Sequence, residues 1–186
     1  VVFEAPACER VMEKNDFGGV WEEHVLYFTG ETFKRMFSEA GLSLAEFKIY
    51  PYFLEDSLVG IAKLKAEAPK PVSQDVLRKE IARGRAYAQG LSQAREEFQG
   101  LLGPQAKAAL FGAGHRSATF INLLGLKDLI GFVVDDDPNK RGLLMPGSRL
   151  PILESSALCE KGVKLCLLNL SPESEAKVVQ NNAPFL

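Results

Sequence analysis

Two short stretches carry side chains able to do chemistry. The first is Glu22-Glu23-His24, which sets two carboxylates beside one of the chain's two histidines. Imidazole as a side-chain type titrates near neutral pH, so it can take up or release a proton. A neighbouring carboxylate can orient the ring or stabilise its protonated form. The same three residues can equally be a polar turn before a helix. Adjacency does not decide between the two, because neighbours on a strand face opposite sides.

The second stretch is Gly112-Ala113-Gly114, between an apolar run and a helical pattern. Glycines there let the backbone approach an anion, and the helix N-terminus offers N–H donors and a positive dipole end. Asp135 follows about twenty residues on, where dinucleotide sites hold a ribose hydroxyl. The third fingerprint position is Ser117 rather than glycine, which favours a nucleotide or nucleotide-sugar contact over NAD(P), or a turn with no ligand at all. His115 falls in the first helical turn, where the dipole favours the neutral ring. It can hydrogen-bond a phosphate or a sugar, or be a polar residue at a loop edge. Lys140 can reach a phosphate at the sheet edge or stay solvated. Asp135 to Asp137, just before Pro138, can also form a plain Asx turn.

Regular elements must position these groups. Val1 to Ala5 reads as a buried strand ended by Pro6, with a helical segment over Cys8 to Lys14. Thr29 is placed to cap a helix whose Phe33, Met36, Phe37 and Ala40 share one face, and Gly41 stands where a left-handed C-cap belongs. "LAEFKIYPYF" and "DSLVGIAKLKA" read as an antiparallel strand pair. A proline-containing linker, "EAPKPVS", leads to a long helix capped by Ser73, with a stripe of Leu77, Ile81, Gly84, Ala88, Leu91, Arg95, Phe98 and Leu102. Beyond Lys107, strands alternate with helices: "KAALF", "LIGFVV" and "VKLCLLNL" as strands, "PNKRGLLMPGSRLPIL" as a loop, and a last helix capped by Ser171. That alternation predicts a parallel sheet and a Rossmann-like half.

Composition narrows the function classes. The chain is 46% hydrophobic and 25% charged, with formal net charge -2, as expected of a folded globular protein. It has no basic run, so nucleic acid is not the expected partner. No apolar stretch reaches the roughly 20 residues of a membrane span. Cys8, Cys159 and Cys166 lie far from any CxxC spacing and read as reduced small hydrophobes of a cytoplasmic protein. The chain starts without Met and stops at "NNAPFL", which reads as a fragment cut from a longer chain.

Four blocks, "FEAP", "EKNDFGGVWEEHVLYFTGETFKRMFSEAGL", "KAALFGAGHRSATFINLLGL" and "GFVVDDDPNKRGLLMPGSRLPI", occur in that order. In this the chain resembles nucleotide-sugar C-methyltransferases that use S-adenosylmethionine. The resemblance implies an α/β fold with three parts. Residues 1–68 would be the terminal strands and helices of a class I methyltransferase domain, 69–104 a linker and long connecting helix, and 105–186 a truncated Rossmann-like domain. It places the S-adenosylmethionine loop, and a zinc-binding domain if present, upstream of Val1. It implies catalysis on a small-molecule nucleotide-linked keto sugar, with His24 as general base and Glu23 as its partner. Tyr27, Gly112, Gly114, His115, Asp135 and Lys140 would face the substrate. The fragment alone is expected to be inactive.

Three departures mark a divergent member: Trp21 where the family has Tyr, "LEDSLVG" where it has a Gly-Gly-Ser stretch, and "GAGHRS" where it has Gly-Ala-Pro-Ala-Lys-Gly. Two other readings stay open: a nucleotide-sugar binding module without catalysis, and an NAD(P)-dependent oxidoreductase.

Overall fold

A computed structural model of the chain describes residues 1–20, 24–53, 55–64, 71–103 and 108–183. The fold is mixed α/β and divides into two compact units, residues 1–16 with 21–90, and residues 17–20 with 91–186.

The first unit holds β1 (Val2–Ala7), α1 (Glu9–Glu13), α2 (Gly30–Glu39), β2 (Leu42–Tyr50) and β3 (Asp56–Leu64). The strands form an antiparallel sheet in the order β1-β3-β2. The expected strand pair is therefore present, and β1 adds to its far side. Two details of the β1 expectation are corrected. The strand is not buried, since Val2 is 67% exposed and of its residues only Ala7 is buried. Nor does Pro6 end it, because β1 lies at the sheet edge, where a missing N–H is tolerated.

Helix α2 starts and stops as its sequence dictates. The Thr29 hydroxyl accepts the Thr32 N–H and the Thr32 hydroxyl accepts the Thr29 N–H, which satisfies two groups that a helix end leaves free. Gly41, at φ +69, turns the chain out. Phe33 and Phe37 are 1% and 0% exposed and pack with Ala7, Leu58 and Ala62.

Helix α3 (Gln74–Leu102) gives its first turns to this unit and the remainder, from Leu91, to the second. The expected apolar stripe is wrong at its start: Leu77 and Ile81 are 42% and 44% exposed. The inward face runs instead through Val76, Glu80, Arg83, Tyr87 and the buried Gly90. Polar contacts set that face. The Tyr87 hydroxyl donates to the Asp16 carbonyl at 3.2 Å, and a Cβ at Gly90 would stand 2.4 Å from the Asn15 side chain.

The second unit holds β4 (Ala108–Phe111), α4 (His115–Leu124), β5 (Ile130–Val134), β6 (Ile152–Leu153), α5 (Ala157–Glu160), β7 (Cys166–Leu168) and α6 (Pro172–Asn181). Its four strands are parallel, in the order β6-β5-β4-β7. The chain steps outward from β4 to β6 and then crosses to the far side of β4, which is the Rossmann order. Strand β6 corrects the reading of residues 138–153 as loop alone. Its outer edge is covered by the returning chain, with Ile152 N–H donating to Leu143 O at 2.9 Å and an antiparallel bridge from Leu144 to Pro151.

The sheet is apolar throughout, with β4 buried at every residue. Phe111, Phe132, Val134, Ala157 and Leu158 form one core cluster. The later turns of α3 pack on α4 through Phe98 and Phe120, whose ring centres are 4.9 Å apart, and through Arg95, which donates to Leu123 O.

Gly112 is a position that needs its glycine. Its φ is +103, and a Cβ there would lie 2.7 Å from a Leu170 methyl and 3.1 Å from the Asn169 carbonyl. Gly112→Ala is expected to lower stability by about 2–5 kcal/mol, combining backbone strain with overpacking. Urea denaturation of the variant against the parent chain checks this; a loss below about 0.5 kcal/mol would be a surface-like effect and would contradict it.

Candidate functional site

The parallel sheet aims its carboxyl ends at one edge, and the turn after β4 lies at the point where strand order reverses. In open α/β sheets ligands bind in the crevice at such a point. The expected residues Gly112, Gly114, Asp135 and Lys140 are brought together there. Asp135 Oδ2 accepts the Ala113 N–H at 2.7 Å and the Lys140 ammonium at 2.9 Å, and Oδ1 accepts the Asp137 N–H at 2.9 Å. Burial alone would raise the Asp135 pKa, but the bonds from Asp137, Lys140 and Ala113 outweigh it and hold the carboxyl below its ordinary range. Its side chain is 14% exposed, against 36% for Lys140.

The three aspartates thus have separate roles. Asp135 points back to the glycine turn. Asp136 Oδ2 accepts from the Asn182 amide at 3.4 Å. Asp137 Oδ1 accepts the Asn139 N–H at 2.9 Å and forms the Asx turn that the sequence suggested.

Gly114 precedes α4 with extended backbone, and a Cβ there would meet nothing within 4 Å. His115 turns toward its own chain: Nε2 is 3.1 Å from the Val20 carbonyl and 3.1 Å from the Thr119 hydroxyl. Ser117, at the third fingerprint position, is 1% exposed. A small side chain suffices there for close packing of helix on sheet. Leu170 and Asn169, against Gly112, were not legible as site residues. The only signal was that they directly follow the last strand of a sheet whose order had first to be known.

The other candidates lie in the first unit. His24 is half-buried, and its ring meets Tyr27 edge-on, with centres 5.7 Å apart and planes at 63°. Tyr27 is 39% exposed. Phe28 is on the core side, its ring edge-on to Phe33 at 5.6 Å. The segment is anchored just after His24: the Cys8 N–H donates to Phe28 O at 2.8 Å, Phe28 bridges to Ala7 at the end of β1, and the Glu9 carboxylate accepts the Gly30 N–H. Glu23, like Trp21 and Glu22, lies outside the described residues.

Among the described residues no group of three His, Cys, Asp or Glu side chains gathers in a way that would hold a metal ion. At the glycine turn, Asp135 takes the Ala113 N–H and Leu170 lies against Gly112. No helix described is long and apolar enough to cross a membrane.

Residues 63–186 match the family described as the C-methyltransferase C-terminal domain. No curated protein matches the chain.

Proposed function

We propose, from the premise that this chain belongs to the C-methyltransferase C-terminal domain family, that its parent enzyme moves a methyl group from S-adenosylmethionine to a carbon of a nucleotide-linked keto sugar. The observation that carries this reading is the family match over residues 63–186. His24 precedes the matched residues, and its role rests on the Glu-His block and on its setting beside Tyr27.

The chemistry asks for a base at a carbon next to a ketone. His24 takes that proton, and the ketone oxygen carries the enolate charge. The carbon's electron pair would then form the new C–C bond with the methyl group that S-adenosylmethionine would supply when bound, the leaving group being the neutral thioether. Glu23 stabilises the imidazolium in the interval. Tyr27, its ring edge against His24, limits the orientations of the imidazole and forms part of the substrate wall. S-adenosylmethionine is held by parts of the parent outside this chain. The enzyme is cytoplasmic and acts on a small molecule.

Titration calorimetry of the full-length enzyme tests this reading. Binding of S-adenosylmethionine is expected, followed by binding of a nucleoside-diphosphate 4-keto sugar. An enzyme that ignores S-adenosylmethionine would end the methyltransferase reading.

A further inference from the structure

We infer that Asp135 determines ligand specificity in the second unit: its carboxylate fills the anion position of the glycine turn and closes the turn to the pyrophosphate of dinucleotides. This goes beyond the proposed methyl transfer and does not depend on His24; the diphosphate of the nucleotide-linked sugar would then be held elsewhere than at this turn.

A dinucleotide fingerprint needs two free groups. Backbone N–H of the glycine turn must face a pyrophosphate, and an acidic side chain at the end of the next strand must accept from a ribose hydroxyl. Here one N–H of the turn is bonded to that acidic side chain, Ala113 N–H to Asp135 Oδ2 at 2.7 Å. A cation is held at the same place, since the Lys140 ammonium lies 2.9 Å from the same oxygen. The second carboxylate oxygen is held by the Asp137 N–H. A carboxylate accepts about four hydrogen bonds, and three come from within the chain. These are charge-assisted bonds, stronger than neutral ones. An incoming pyrophosphate would have to displace an anion tethered to the protein.

An independent observation points the same way. At the strand-order reversal between β4 and β7, the Leu170 methyl lies where a Gly112 Cβ would meet it at 2.7 Å. The crevice that receives a pyrophosphate in such folds is narrowed there by an apolar side chain. Asp135 and Leu170 therefore close the turn from two sides, and the turn becomes an internal joint that fixes the loop over residues 135–142 to the sheet.

The test removes the resident anion. Inorganic pyrophosphate is titrated into the chain, following the backbone amide resonances of Ala113 and Gly114. The wild type should show no saturable shift at either amide. Asp135→Ala frees the Ala113 N–H and the Lys140 ammonium together. It should bind pyrophosphate about tenfold or more tightly than wild type, and Asp135→Ala/Lys140→Ala should lose that gain. Asp135→Asn removes the charge at nearly constant size and serves if the alanine variant does not fold. Saturable wild-type binding at Ala113 and Gly114 would overturn the inference. So would folded Asp135 variants that bind pyrophosphate no better than wild type.

Discussion

Replacing His24 by alanine in the full-length enzyme is expected to slow methyl transfer by about 10²–10⁴-fold, the span of a lost general base. The affinity for S-adenosylmethionine should not change, because the imidazole is assigned to the sugar's proton. Anchors that do not involve the ring hold the segment after His24: Cys8 N–H on Phe28 O, and the Thr29–Thr32 cap of α2. The variant should therefore keep its fold, and the loss should fall on kcat. Single-turnover methyl transfer beside calorimetry separates the two quantities. A variant that retains wild-type turnover would remove His24 from the mechanism and leave it a polar residue before a helix. A variant that loses S-adenosylmethionine binding would move His24 from proton transfer to cofactor placement.

The second large effect is on stability. Phe37→Ala should destabilise the chain by about 3–5 kcal/mol. Phe37 has no exposed surface, and it meets Phe33 and Phe3 edge-on, with ring centres 5.1 and 5.4 Å away. A Cβ on Gly60 would come within 2.5 Å of its ring, so the ring lies flush on β3 and the glycine makes the room. Among the described residues, the core around it is a three-stranded sheet packed with one ten-residue helix. Such a sheet needs its packed helix for independent stability. The urea midpoint should fall accordingly, and amide protection should be lost along β1 and β3. A cost below about 1 kcal/mol would mean that the site collapses to fill the cavity.

The sequence was most legible where local chemistry decides the outcome. Thr29 and Gly41 bracket α2 because a cap and a left-handed stop are properties of single residues. Gly125, at φ +65, closes α4 for the same reason. The parallel sheet followed from alternating apolar runs. Features set by partners distant in sequence were hidden. Strand β6 has two residues and follows Pro151, too short for a period to show. The inward face of α3 was misread because Tyr87 and Gly90 are chosen by the Asp16 carbonyl and the Asn15 side chain, which hydropathy does not register.

The candidate site divides in the same way. Spacing placed Gly112, Gly114, Asp135 and Lys140 near one another at one end of the sheet, where the structure has them. It could not reveal that the carboxylate accepts the Ala113 N–H of the turn. That depends on the register of β4 beside β5, where Phe111 is opposite Val134 and sets Ala113 within reach of Asp135.

The central claim is methyl transfer to carbon. The most direct measurement gives the full-length enzyme S-adenosylmethionine labelled with carbon-13 in its methyl group, together with a nucleoside-diphosphate 4-keto sugar, and records the product by NMR. The account predicts a labelled methyl coupled to a neighbouring carbon, at the chemical shift of a C–CH₃ group. A labelled methyl at the shift of an O–CH₃ group, or no transfer to the sugar, would contradict it.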